Sequence, residues 1–147
     1  MANTLLQIRG LRTYFFTESG VAKAVDGVDL EVCEGEVLGL VGESGSGKSV
    51  TALSVLRLIP DPPGRIVGGE VAYKGRNLLS LKLDEIRRIR GREISMIFQE
   101  PMTSLNPVFT IGMQVMEVIL AHEQVSRDEA HRRAVDMLGE VGIPDAA

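Results

Sequence analysis

The chain has 147 residues, 16 Lys and Arg against 20 Asp and Glu, and a net charge of −4, a length that predicts one domain able to bury ~68–70% of its unfolded surface. The acidic balance argues against a nucleic-acid partner, which would show a basic excess, so Arg87, Arg88, Arg90 and Arg92 read as a solvated helix face. A single cysteine, Cys33, excludes an intrachain disulfide and suits a reducing compartment, while Arg9 and Arg12 interrupt the N-terminal apolar residues and exclude a signal peptide.

In chain order, Leu5 to Phe16 is β-leaning, and Val28, Leu30 and Val32 alternate with Asp29 and Glu31 as a half-buried strand should. Glu34-Gly35-Glu36 is a tight turn. The run Val37-Leu38-Gly39-Leu40-Val41 has no polar alternation and predicts a strand covered on both faces, as in a parallel α/β sheet. Residues 48–59 are apolar nearly all round and predict a buried helix ended by Pro60, Pro62, Pro63 and Gly64. Val71 and Tyr73 lead into a turn at Gly75 and suggest another strand of the first, antiparallel sheet. Leu83 to Arg90 reads as a short helix stopped by Gly91, and Ile94 to Phe98 as a second buried strand ending at Gln99. Ile111 to His122 carries an apolar stripe at helical spacing, and a final helix opens with the capping box Ser126-Arg127-Asp128-Glu129.

Residues 42–49 read Gly42-Glu43-Ser44-Gly45-Ser46-Gly47-Lys48-Ser49, the pattern G-x-x-x-x-G-K-[ST] between a strand and a helix. A triphosphate tail is dense negative charge and needs close donors. Gly45 and Gly47 can adopt backbone angles closed to residues with a Cβ, turning the amides from Ser44 to Ser49 inward as an anion nest. The helix starting near Lys48 adds the positive end of its dipole. Lys48 is suited to the β and γ phosphates and the Ser49 hydroxyl to Mg²⁺, so the expected cofactors are ATP and Mg²⁺.

The segment Ile97-Phe98-Gln99-Glu100-Pro101-Met102-Thr103-Ser104-Leu105-Asn106-Pro107 resembles the Q-loop region of ABC transporter ATPases. Together with the phosphate loop it is similar to the ATP-binding subunits of oligopeptide, dipeptide and nickel importers, over essentially the whole chain from Leu5 to Pro144. The resemblance implies an ABC-type P-loop NTPase fold of the α/β class. Its parts would be an antiparallel β subdomain, part of a RecA-like parallel core and the start of a helical subdomain. It implies that Gln99 senses the γ-phosphate, Mg²⁺ or the attacking water, a role its amide suits by offering both a donor and an acceptor. The segment after Gln99 would face a membrane-spanning permease subunit, with a second ATP-binding subunit completing the dimer at the cytoplasmic face of the cell membrane. An aromatic of this family stacks on adenine. Tyr14, Phe15 and Phe16 lie in its place, and counting back from Ala24-Val25 favours Phe15 over Tyr14.

The sequence departs from the family in what it lacks. No segment resembles the Leu-Ser-Gly-Gly signature, the apolar strand ending in Asp-Glu or the switch His, and neither His122 nor His131 fits that last role. These motifs lie downstream in the family, which implies that residues 1–147 form the N-terminal portion of one ATP-binding domain. Two expectations follow. The intact protein would be the ATP-binding subunit of an importer, coupling ATP binding and hydrolysis to uptake of peptides or a related small solute, while this chain alone would not hydrolyse ATP; the alternative reading is a non-catalytic nucleotide-binding or docking module from a truncated gene product. The phosphate-loop strand, whose sheet neighbours come from the downstream half in the family, would be left with open edges and the chain marginally stable.

Overall fold

The computed structural model describes residues 3–99 and 104–144. Two compact units are resolved, Met1–Arg87 and Arg88–Ala147.

The first unit is built on two long strands, β1 (Thr4–Thr17) and β2 (Gly20–Cys33), joined by a tight turn. With β3 (Gly64–Tyr73) and β4 (Arg76–Asn77) they form an antiparallel sheet in the order β2-β1-β3-β4. Val28, Leu30 and Val32 are half-buried while Asp29 and Glu31 are exposed, as their alternation requires. The buried side of β1 changes parity midway, because Ile8, Leu11 and Thr13 are all buried. A bulge causes this. Ile8 pairs with Leu30 and Leu11 with Val28, so β1 carries one residue more than β2 between them. Gly10 sits in that bulge with φ 53°, and its N–H donates to Asp29 Oδ1 at 2.7 Å. Val71, Tyr73 and Leu78 close the core. Leu78 opens a short 3-10 turn (Leu78–Ser80) whose N-cap is Asn77, with Asn77 Oδ1 accepting from Leu79 N at 3.0 Å.

Helix α1 (Lys48–Val55) begins where expected but ends four residues early. The prolines do not end it. Leu58 N donates to Leu53 O at 2.9 Å and Arg57 N to Ser54 O at 3.0 Å, around Arg57 at φ 53°. This is a Schellman stop with arginine in the left-handed position that glycine usually fills. The Arg57 guanidinium donates to the carbonyl of Leu81 at 2.6 Å, which holds that conformation in place. The helix is also one-sided rather than buried all round: Thr51, Ser54 and Val55 are covered and Ala52 is exposed. Helix α2 (Leu83–Ile89) carries Asp84 and Glu85 in its first turn, the favourable end for acids, and is followed by Gly91 at φ 79°.

The two runs read as buried strands are neither strands nor buried. Val37 to Val41 has no strand partner among the described residues, with Val37 97% and Val41 91% exposed. Ile94 makes one isolated parallel bridge to Arg90, and Ile97 is 97% exposed. An all-apolar strand needs neighbours on both edges and cover on both faces, and no described strand lies beside either run.

The second unit is a helical pair, α3 (Ile111–His122) and α4 (Arg127–Glu140). Thr110 Oγ1 caps α3 by accepting from Met113 N, and Ser126 Oγ caps α4 by accepting from Glu129 N at 3.2 Å. Arg133 bridges Glu123 and Glu129, both at 2.7 Å, and so ties the end of α3 to the first turn of α4. Ala130 and Ala134 are the buried positions of α4.

Candidate functional site: a glycine-bent loop at the start of α1

The loop from Gly42 to Ser49 leads directly into α1. Gly45 has φ 81° and Gly47 φ 89°, so both adopt the left-handed backbone that their sequence positions predict. Gly47 is the N-cap of α1 and offers no side-chain oxygen, unlike Thr110 and Ser126 on the other two long helices. The first-turn amides of a helix have no intrahelical acceptor. No side chain caps them here, at the positive end of the helix dipole.

Gly47 is demanded by space as well as by angle. A Cβ there would lie 2.3 Å from the carbonyl oxygen of Ala24 on β2. The reason is a further bulge: Thr13 pairs with Val25 and Tyr14 with Lys23, leaving Ala24 as the extra residue of β2. The approach of Ala24 O to Gly47 is not legible from the sequence, because it joins residues far apart in the chain.

Lys48 Nζ donates to Gly42 O at 2.7 Å, Glu43 O at 2.6 Å and Ser46 Oγ at 3.1 Å. The ammonium is thereby held against the inside of the loop rather than projected into solvent. Ser46 N closes a turn on Glu43 O at 3.2 Å, with Ser44 and Gly45 exposed at its tip. Ser49 is exposed in the first turn. Thr51 anchors the helix start, its N–H and its hydroxyl both donating to Gly47 O, at 2.8 and 2.9 Å.

The two aromatic candidates separate. Phe15 lies two residues from Thr13 on the same face of β1, and its ring rests on Gly64, where a Cβ would come 2.8 Å from Phe15 Cε1 and 2.5 Å from Ile59 Cγ2. Tyr14 faces the other side. Its hydroxyl donates to Asp26 Oδ1 at 2.6 Å, and Lys23 Nζ stands 5.4 Å from the ring centroid. The Tyr14 hydrogen bond, with Lys23 and Arg12 nearby, holds the Asp26 carboxyl below its ordinary range, and the same bond raises the Tyr14 phenol.

Gln99 falls in the second unit, exposed at a bend after Phe98. Residues 100–103 of the segment that follows lie outside the described residues. Where description resumes, Gln114 of α3 clasps the chain: Asn106 N donates to Gln114 Oε1 at 2.8 Å, and Gln114 Nε2 donates to the carbonyls of Asn106 and Phe109, both at 3.0 Å. Sequence reasoning missed Gln114. An amide at the first turn of a helix is an unremarkable residue until its partners are known.

A loop bent at two glycines, folded around its own lysine and feeding an uncapped helix, is the arrangement that defines the P-loop class. The profile of the family described as ABC transporter matches residues 25–147. The chain belongs to the ABC transporter family. It is 54% identical over 98% of its length to a probable peptide ABC transporter ATP-binding protein, y4tR, of Sinorhizobium fredii. It is 46% identical over 97% of its length to the dipeptide transport ATP-binding protein DppD of Escherichia coli. Of each of those relatives it spans 43%. Among solved structures, the dimeric bacterial ABC transporter cassette MJ0796 superposes with a TM-score of 0.72 at 24% identity, covering 92% of this chain and 56% of that one. The fold is therefore that of part of an ABC ATPase cassette, the antiparallel sheet with its helices. No helix among the described residues is long and apolar enough to cross a membrane.

Proposed function

We propose that the chain is the N-terminal portion of the ATP-binding subunit of an importer for peptides or a related small solute. In that role the intact protein couples ATP binding and hydrolysis to uptake through membrane-spanning permease subunits. The observation that carries this reading is the uncapped start of α1, with Lys48 folded onto the loop carbonyls. Relatives at 46–54% identity are named as peptide and dipeptide transport ATP-binding proteins, which supports the solute class.

The amides from Ser44 to Ser49 receive the phosphate chain, and Lys48 exchanges its carbonyl partners for phosphate oxygens, a stronger charge-assisted contact. Phe15 offers an aromatic surface to the base, while Tyr14, its hydroxyl engaged with Asp26, is the other aromatic candidate on the opposite face of β1. The Ser49 hydroxyl, exposed in the first turn of α1 beside Lys48, is an oxygen donor of the kind a phosphate-bound Mg²⁺ takes. Ser49 would hold that ion, which would supply neutralisation of the phosphate charge when bound, and Gln99 is the further ligand that the family resemblance implies. The segment after Gln99 docks on the permease, a second ATP-binding subunit completes the dimer, and the assembly lies peripherally at the cytoplasmic face of the membrane.

Lys48→Ala is expected to weaken Mg-ATP binding at least tenfold by calorimetric titration, and an unchanged affinity would sink the binding half of this reading. A second reading is a non-catalytic nucleotide-binding or docking module, which shares the loop and Lys48 with the first and differs from it in predicting no turnover. Steady ATP hydrolysis by this chain that disappears in Lys48→Ala would exclude it.

A further inference from the structure

A hydroxyl pair joins β1 to the helix that carries the loop. Thr13 and Ser54 are both fully buried, and their hydroxyl oxygens lie 2.8 Å apart. Ser54 Oγ donates to Val50 O at 2.6 Å, so its proton is committed and Thr13 is the donor between the two. Around them the core is apolar: Leu11, Val25, Val55 and Leu56. Packing alone would be served there by Val and Ala, because replacing both partners of a buried hydrogen bond with apolar groups of similar shape is close to neutral for stability. A directional bond adds something that packing does not, namely a fixed rotation of α1 about its axis and a fixed register along β1.

Its position gives that register a use. The start of α1 approaches β2 closely at Gly47 and Ala24 O, and Thr13 pairs with Val25, the next residue along β2. Thr13 and Ser54 hold the body of α1 to β1, two residues from Phe15 on the same face. Gly64, the β3 partner of Phe15, lies close to both the Phe15 ring and Ile59 in the chain leaving α1. The Thr13–Ser54 bond thus fixes α1 between the glycine-bent loop at its start and Phe15 on β1. We propose that Thr13 and Ser54 are positioning residues that set the separation between the base-facing ring of Phe15 and the phosphate cradle. They thereby decide how strongly the site prefers a nucleoside triphosphate over a bare polyphosphate. The inference rests on the nucleotide-binding reading above.

The test compares affinities of the 147-residue chain for Mg-ATP and for Mg-tripolyphosphate, in parallel with urea melts. The native chain should prefer ATP by about 5-fold or more, the range expected of one stacked base, and Phe15→Ala should abolish the preference. Thr13→Val, Ser54→Ala and the double variant should each lose at least threefold of the ATP preference while tripolyphosphate affinity stays within about twofold. The double variant should melt like the native chain, and Thr13→Ser, which keeps the hydroxyl, should retain the preference. A preference retained in the double variant overturns the proposal, as do equal losses of both affinities and a native chain that binds the two ligands alike. Failure of the parent reading looks different, as tripolyphosphate and ATP binding that are both indifferent to Lys48→Ala.

Discussion

At the scale of single residues, Gly47 and Gly45 make a matched pair. Both have positive φ, but only Gly47 faces an obstacle, Ala24 O at 2.3 Å from its virtual Cβ, while the space around Gly45 is open. Gly45→Ala should cost about 1–2 kcal/mol from backbone strain alone. Gly47→Ala should cost more and displace the helix start, lowering ATP affinity beyond tenfold; urea melts and calorimetry on the two variants separate strain from collision. The Tyr14 and Asp26 pair carries a pH signature. Asp26 is held low in the folded chain, so its contribution to stability is present above the unfolded carboxylate pKa and is lost as pH falls through the lower folded value. Tyr14 is raised, so its contribution is present below the ordinary phenol pKa and is lost as pH rises through the higher folded value. In a tyrosinate absorbance titration, Asp26→Asn should bring Tyr14 back toward the ordinary phenol, with Tyr14→Phe identifying its share of the signal.

At the scale of elements, the helix starts were readable and one helix end was not. Ser126 and Glu129 lie within one turn of each other, so the start of α4 follows from local spacing, and Ser126→Ala should cost about 0.5–2 kcal/mol, read as lost helicity and an earlier melt of the second unit. The end of α1 depends instead on Arg57, whose left-handed backbone is compensated by the Leu81 carbonyl more than twenty positions onward. No local rule predicts a helix stop at arginine. The same holds for β1, where alternation predicts one buried parity and the bulge at Gly10 supplies two. A one-residue slip changes which side chains face inward, and only the pairing partner reveals it.

At the scale of the whole molecule, the described chain leaves large apolar side chains in solvent. Val37, Val41, Ile97 and Val108 are all more than four-fifths exposed. Unpaired apolar backbone invites association, so the chain should self-associate at rising concentration, and Val37→Lys with Ile97→Lys should suppress this. Because both side chains are already exposed, the substitutions should shift folding stability by no more than about 0.5 kcal/mol. Light scattering and urea melts on the same samples check both halves of that expectation. The relatives of which the chain spans 43% set the context in which these surfaces are to be understood.

The sequence by itself determined the glycine-bent loop before α1, the cap of α4 and the family, because each of these is written within a few adjacent residues. Glycine at Gly45 and Gly47, Lys48 beside Ser49, and Ser126 three before Glu129 act through local backbone chemistry. Only the tertiary structure decided which apolar runs are covered, why Gly47 tolerates no side chain, and that Thr13 meets Ser54. Those outcomes depend on residues that the chain brings together from far apart, and burial is a property of neighbours rather than of composition.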